Sequence, residues 1–278
     1  MAGPSGPAAG ASDGRLTGCH GSFYVAQMAG TGVAVRTLLD TGGADGAGGL
    51  VRRLVRVPAG ARFESAAGPG GELGFVLAGS ATLEVIGGPS WPVRADAGMW
   101  LPPGARYALA AGDAEVRLDS VSLPAAAGSG GGAAAGSGAG DGSGGDGGGG
   151  DGDGGDAAAV AALGDCPEEV TGDRRFRVLF GPGRGCWAAT QFAGEIPPGR
   201  APDHVHPYDE VVLILAGHGV LHTGDGDRPL APGSCVHLPP GLPHCLENTG
   251  QDTLRVLGVF HPGGSPAAKE PADGGPAR

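Results

Sequence analysis

Four side chains in the second half of the sequence have the types and spacing to hold a metal ion: His204, His206, Glu210 and His244. Successive side chains on a strand alternate between faces, so histidines two residues apart point the same way. Glu210 keeps that parity four residues later, after Pro207 lets the chain turn into the run EVVLIL. His244 arrives much further on, just past the Pro239–Gly241 bend. Three imidazoles and one carboxylate suit Fe, Mn, Zn, Ni or Cu, whereas Mg and Ca prefer all-oxygen sites. Four protein ligands in an octahedral shell leave about two positions open, as catalytic rather than structural metals require. Substrate, water or dioxygen would bind there, and Glu210 is the expected catalytic group, shifting from ligand to general base. Buried without a metal, the same four groups would each need hydrogen-bond partners at some cost.

Other residues are candidates to line this site. Val212 and Ile214 share the parity of Glu210 and are expected to give a pocket apolar walls, which favours an organic substrate. His222, His237, Gln191 and Arg200 are candidates for contacts behind the ligands or with substrate. Cys235 and Cys245 read as small core residues, and Tyr208, between His206 and Glu210, as a residue at the mouth.

Short β-rich runs punctuated by Gly and Pro must position these groups. They are FYVAQM (23–28), VAVRTLL (33–39), LVRRLVRV (50–57), GFVLAGSATLEVI (74–86) and AEVRLDSVSL (114–123), then FRVLF (176–180), CWAATQFAGEI (186–196), EVVLILAGHGVLH (210–222), CVHLPPG (235–241) and TLRVLGVF (253–260). This pattern, with no long helical period, indicates an antiparallel sandwich or barrel. The two series are copies. VRVPAGARFE (55–64) matches GEIPPGRAPD (194–203), LGFVLAGSATL (73–83) matches VVLILAGHGVL (211–221), and WLPPGARYAL (100–109) matches HLPPGLPHCL (237–246). Paired glycines are offset by 139 (Gly60, Gly199), 138 (Gly79, Gly217) and 137 (Gly104, Gly241) residues, which points to a tandem duplication.

Between the copies, GSGGGAAAGSGAGDGSGGDGGGGDGDGGDA (128–157) has nothing large enough to bury and reads as a linker. Calcium-binding β-roll repeats would need regularly placed large apolar residues that this tract lacks. The expected organisation is 1–14 disordered, 15–124 a first domain, 125–160 a flexible linker, 161–265 a second domain and 266–278 a disordered tail.

At the second-half ligands the sequence resembles a known family. GRAPDHVHPYDEVVLILAG looks like the first cupin motif, with His-x-His, three residues, Glu, six residues and Gly217 in order. GSCVHLPPGLPHCLEN looks like the second, with Gly233, Pro239, Gly241, His244 and Asn248 in register. Gly199 lies five rather than six positions before His204, a change of loop length that leaves the ligands untouched. The resemblance implies an all-β chain of two tandem jelly-roll (cupin) barrels joined by the Gly/Ala/Asp-rich linker, with a metal inside the second. Opposite His204 and His206 the first half has Ser65 or Ala66 and Ala67 or Gly68, and Tyr107 stands opposite His244; only Glu72 survives, opposite Glu210. A lone carboxylate does not hold a transition metal, so the first barrel is expected to be metal-free and to serve packing or dimerisation.

Bicupins include quercetinase-like and gentisate-type dioxygenases, oxalate decarboxylases and ureidoglycine aminohydrolases, and fold does not choose among them. The three-His, one-Glu set resembles the quercetinase and oxalate decarboxylase group. Oxalate decarboxylases usually keep metal in both halves, which counts against that reaction here. Ureidoglycine aminohydrolases share the one-sided metal but use a Glu, His, His, Gln set, which His204, His206, Glu210 and His244 do not match. The leading expectation is a small-molecule metalloenzyme, dioxygenase-like or a related lyase or hydrolase, with one divalent metal, Fe or Mn before Zn, Ni or Cu. The alternative is a non-catalytic small-molecule-binding or sensing cupin, and a storage role resembling seed globulins ranks last.

Composition narrows the partners. A net charge of −11 without a basic patch argues against nucleic acid. No run of about 18 apolar residues suggests a membrane span, and the start MAGPSGPAAGASDG lacks a signal-peptide pattern, so a cytoplasmic protein is expected. Five scattered cysteines give no disulfide framework. Edge strands of a jelly roll suggest a homodimer.

Overall fold

A computed structural model describes residues 25–27, 32–42, 48–125, 157–268 and 270–271. The expected disordered start, nearly all of the linker, Cys19 and most of the tail lie outside these residues. Each half is a pair of facing antiparallel sheets. In the first, a large sheet runs Val25–Gln27, Ala34–Asp40, Val51–Val57, Val116–Ser122, Glu72–Ala78 and Ala97–Leu101, and faces a smaller sheet of Arg62–Ala66, Arg106–Ala111, Ser80–Val85 and Ser90–Arg94. In the second, Glu169–Thr171, Arg174–Phe180, Thr190–Ile196, Leu254–His261, Asp209–Ala216 and Cys235–Leu238 face a sheet centred on Gly219–Thr223, His244–Asn248 and His204–Val205. The tandem jelly-roll expectation is met. Ala159–Ala162, which straddles the expected boundary between linker (125–160) and second domain (161–265), pairs with Ala97–Leu101 and so completes the first half's sheet.

The duplication is visible in backbone geometry. Gly79 and Gly217, in matching turns, both have φ of +83° with backbone atoms of the neighbouring turn packed under them, which excludes a side chain at either position.

The barrels pack through their large sheets. Along Glu72–Ala78 and Asp209–Ala216 both faces are buried: Val76, Val212 and Ile214 point into their own barrels, while Leu73, Phe75, Val211 and Leu213 join one apolar cluster shared by the two halves. This two-sided burial explains why the strands read as continuous apolar runs rather than alternating ones. Besides the more exposed Arg255–Asp96 pair at 3.6 Å, one fully buried charged group crosses the interface. The Arg52 guanidinium, with no solvent exposure, donates to both carboxylate oxygens of Asp119 at 2.8 and 2.9 Å. Its remaining donors reach the carbonyls of Val211 (3.0 Å) and Leu257 (3.1 Å) in the other barrel. Gln191, at the matching position of the second copy, reaches back to the Gly74 carbonyl at 3.2 Å.

Candidate metal centre

His206, Glu210 and His244 converge inside the second barrel, each buried, with one potential ligand atom apiece within 4.8 Å of the others. Glu210 opens the inner strand Asp209–Ala216, His206 lies in the turn before it, and His244 starts the facing strand His244–Asn248. His204 is held opposite His244 by strand pairing, with ring centroids 4.4 Å apart. It lines the same cavity, beside the group of three rather than within it.

The hydrogen bonds around these rings suit a metal. His206 Nδ1 faces the Tyr208 carbonyl at 2.9 Å, and His244 Nδ1 faces the Leu242 carbonyl at 2.8 Å. A carbonyl only accepts, so each Nδ1 carries the proton, and in the neutral rings Nε2 presents a lone pair to the barrel interior. His206 Nε2 is buried, makes no hydrogen bond, and lies 3.0 Å from Glu210 Oε2. A bare lone pair this close to a carboxylate oxygen is unfavourable in a dry interior, and either a proton on Nε2 or a cation bound by both atoms removes the conflict.

Aromatic side chains make the site small. The Tyr208 ring stacks between His206 (centroids 4.3 Å apart) and Phe260 (4.0 Å), so it forms part of the wall rather than standing at an open mouth. Burial, reinforced by the Glu210 charge, pushes its phenol pKa up and keeps it protonated. Phe192, Val212, Leu238, Leu246 and Val256 complete the apolar lining, and the cavity holds about 70 Å³. Ile214, expected on the same wall, is packed instead into the barrel's core. Arg174, Arg175 and Glu195 are the charged groups at the cavity beyond the ligands.

The other expected site neighbours lie elsewhere. Gln191 faces the first barrel. His222 sits between Asp227 (2.7 Å) and Glu247 (2.6 Å), His237 contacts Asp209, and Arg200 bonds Asp203 on the surface. Cys235 belongs to the interface cluster, Cys245 donates to the Ala201 carbonyl, and no disulfide joins the four described cysteines. Asn248 ties the turn together by donating to the Ile196 and Asp252 carbonyls and accepting from Gly250. Sequence reasoning missed Phe192, Phe260, Arg174 and Arg175, which come from strands carrying no motif. Among the described residues no helix is long and apolar enough to cross a membrane.

Comparison with known proteins agrees with this fold. Residues 193–260 match the cupin domain family. A 68-residue stretch is 35% identical to an oxalate-binding protein of Thermotoga maritima, covering 24% of this chain and 56% of that protein. Another, of 57 residues, is 37% identical to an uncharacterised protein of Streptomyces coelicolor, covering 20% and 53%. The matched stretch thus spans about half the length of these curated relatives. Among solved structures, a mutant Bacillus subtilis oxalate decarboxylase superposes with a TM-score of 0.64 at 13% identity, covering 92% of this chain and 79% of that one. A putative glyoxylate-induced protein of Pseudomonas aeruginosa gives 0.64 at 14% identity, covering 84% and 83%.

Proposed function

The second half of the chain is a cupin domain and the first half shares its fold; on that footing we propose a metal-dependent enzyme with one mononuclear centre, acting on a short organic carboxylate. His206, Glu210 and His244 would hold the metal, with His204 as fourth ligand and Fe or Mn as the favoured ion. The carrying observation is the buried, unbonded His206 Nε2 at 3.0 Å from Glu210 Oε2, at the end of a cavity of about 70 Å³. Such a volume admits a few waters or a molecule the size of oxalate, and excludes the bulky phenolics that an apolar wall alone would suggest. The likeness to an oxalate-binding protein supports the same substrate class.

Each residue then has a task. The bound divalent metal would supply Lewis acidity toward a substrate oxygen. The carbonyls of Tyr208 and Leu242 hold the two imidazoles in the tautomer that presents Nε2 inward. Glu210 would hold the metal through Oε2, which leaves its other carboxylate oxygen to accept a proton from substrate or water. Arg174, whose guanidinium already donates to the Leu246 carbonyl at 2.8 Å, supplies positive charge for a carboxylate entering the cavity. The apolar walls exclude water.

A second reading, capture of the same acid without turnover, is favoured by the limited supply, among the described residues, of proton-moving groups at the cavity beyond the ligands: Tyr208, whose phenol stays protonated, and the exposed Glu195. Calorimetric titration of Fe- or Mn-loaded protein with oxalate, glyoxylate and malonate, alongside oxygen uptake and carbon dioxide release, separates the two. Binding with turnover supports the enzyme, binding without turnover supports capture, and no metal-dependent binding of any short acid contradicts both.

A further inference from the structure

The first barrel lacks the histidines, yet among the described residues its interior is not filled. A hollow of about 780 Å³ opens at the place equivalent to the metal cavity. Strand registers identify the matching positions: Ser65 pairs with Tyr107 as His204 pairs with His244, and Glu72 faces Ser122 as Glu210 faces Phe260. Likewise Arg53 faces Ser120 where Phe192 faces Gly258. The aromatic filling of the second barrel is thus replaced by polar groups. They form a connected cluster: Tyr107 and Ser120 donate to Glu72 Oε1, both at 2.6 Å, and the Ser122 hydroxyl lies 3.4 Å from Oε2 and accepts from Arg53 at 2.8 Å. Glu72, Tyr107 and Ser120 are at most 3% exposed.

A barrel kept only for packing gains stability by filling such a space with apolar side chains, whereas a buried carboxylate and hydroxyl cluster beside an open hollow costs desolvation. We propose that this hollow is a second, metal-free binding site for a small carboxylate that carries a hydroxyl or amino donor and an apolar group. Arg53 has guanidinium donors beyond the one bonded to Ser122, and they would take the ligand's carboxylate. Glu72 Oε2, held only by the long Ser122 contact, would accept from the ligand's hydroxyl or amine. Phe63, Val35, Val51 and Val55 line the remainder and would take the apolar group. Such a ligand is too large for the metal cavity, so the two barrels would hold different molecules.

The test is calorimetric titration of the full-length, metal-free protein with mandelate and with phenylalanine, using phenylacetate, which lacks the second donor, as control. Mandelate or phenylalanine should bind wild type and the His206→Ala/His244→Ala variant equally, and phenylacetate at least about 10-fold more weakly. Arg53→Met should weaken binding about 10-fold or more while leaving the melting temperature near that of wild type, the loss expected when one charge-assisted contact goes. Three results would each overturn the proposal: no binding of either ligand at about 10 mM, binding abolished by the metal-site substitutions, or binding indifferent to Arg53→Met. Because the protein is metal-free throughout, failure here leaves the proposed metal chemistry of the other barrel standing.

Discussion

The two barrels have one backbone and two interiors. In the first, Glu72 receives hydroxyl donors from Tyr107 and Ser120 at Oε1, a network that holds one carboxylate oxygen without any ion and leaves Oε2 with the long Ser122 contact. In the second, Glu210 faces a histidine nitrogen that has no hydrogen-bond partner. The same strand position therefore holds a carboxylate anchored by protein hydroxyls in one copy and, on our reading, by a metal in the other. Replacing His244 by its counterpart Tyr107 turns a ligand position into a donor, and replacing Phe260 by Ser122 does the same on the other side. Few changes at matching positions suffice because the shared core behind these strands, from Phe75 to Val211, is independent of which chemistry the interior does.

The comparison can be broken at the contact that joins the copies. Arg52→Leu strands Asp119 in the buried interface and should cost about 3–5 kcal/mol in urea unfolding. The double variant Arg52→Leu/Asp119→Leu should recover much of that loss. At the carboxylates the halves should respond oppositely. Glu72→Gln should cost about 1–3 kcal/mol of stability by disturbing a buried charged hydrogen-bond network, with metal content unchanged. Glu210→Gln, which removes the charge facing His206 Nε2, should not lower the metal-free protein's unfolding midpoint and should sharply weaken metal uptake, read by competition with a chelator. Putting the first barrel's serine into the second, as Gly258→Ser, brings a Cβ within 2.2 Å of the Phe192 ring and should cost about 1–3 kcal/mol by overpacking.

The smallest effect is one of pH. His222 in the second barrel is hydrogen-bonded to Asp227 and then Glu247, and both bonds favour the imidazolium and raise its pKa above the usual value. A raised folded pKa means the stabilisation is fully present below the unfolded pKa of about 6.5 and fades as pH rises through the higher folded value. Thermal melts from acid to alkaline pH should show that decline in wild type and a flatter profile in His222→Gln.

Much of this was legible in the sequence, for identifiable reasons. The convergence of His206, Glu210 and His244 was, because alternation on a strand fixes which residues share a face and the Pro239–Gly241 bend carries His244 back to them. The duplication was, because turn glycines such as Gly79 and Gly217 tolerate no other residue. The size of the metal cavity was not: it depends on Phe192, Tyr208 and Phe260 stacking from three separate segments, and no local pattern records that. The roles of Arg52 and Gln191 were equally hidden, since each acts across an interface through backbone carbonyls that have no sequence signature. The choice between Ser65 and Ala66 opposite His204 required the observed register, Ser65 with Tyr107.

The most direct test of a single metal centre in the second barrel is metal content by mass spectrometry after loading with Fe or Mn and removal of excess. Wild type and the Glu72→Gln/Tyr107→Phe variant should each retain about one ion per chain, and His206→Ala/His244→Ala should retain none. Metal lost from the first-barrel variant, or kept by the second-barrel one, would contradict the account.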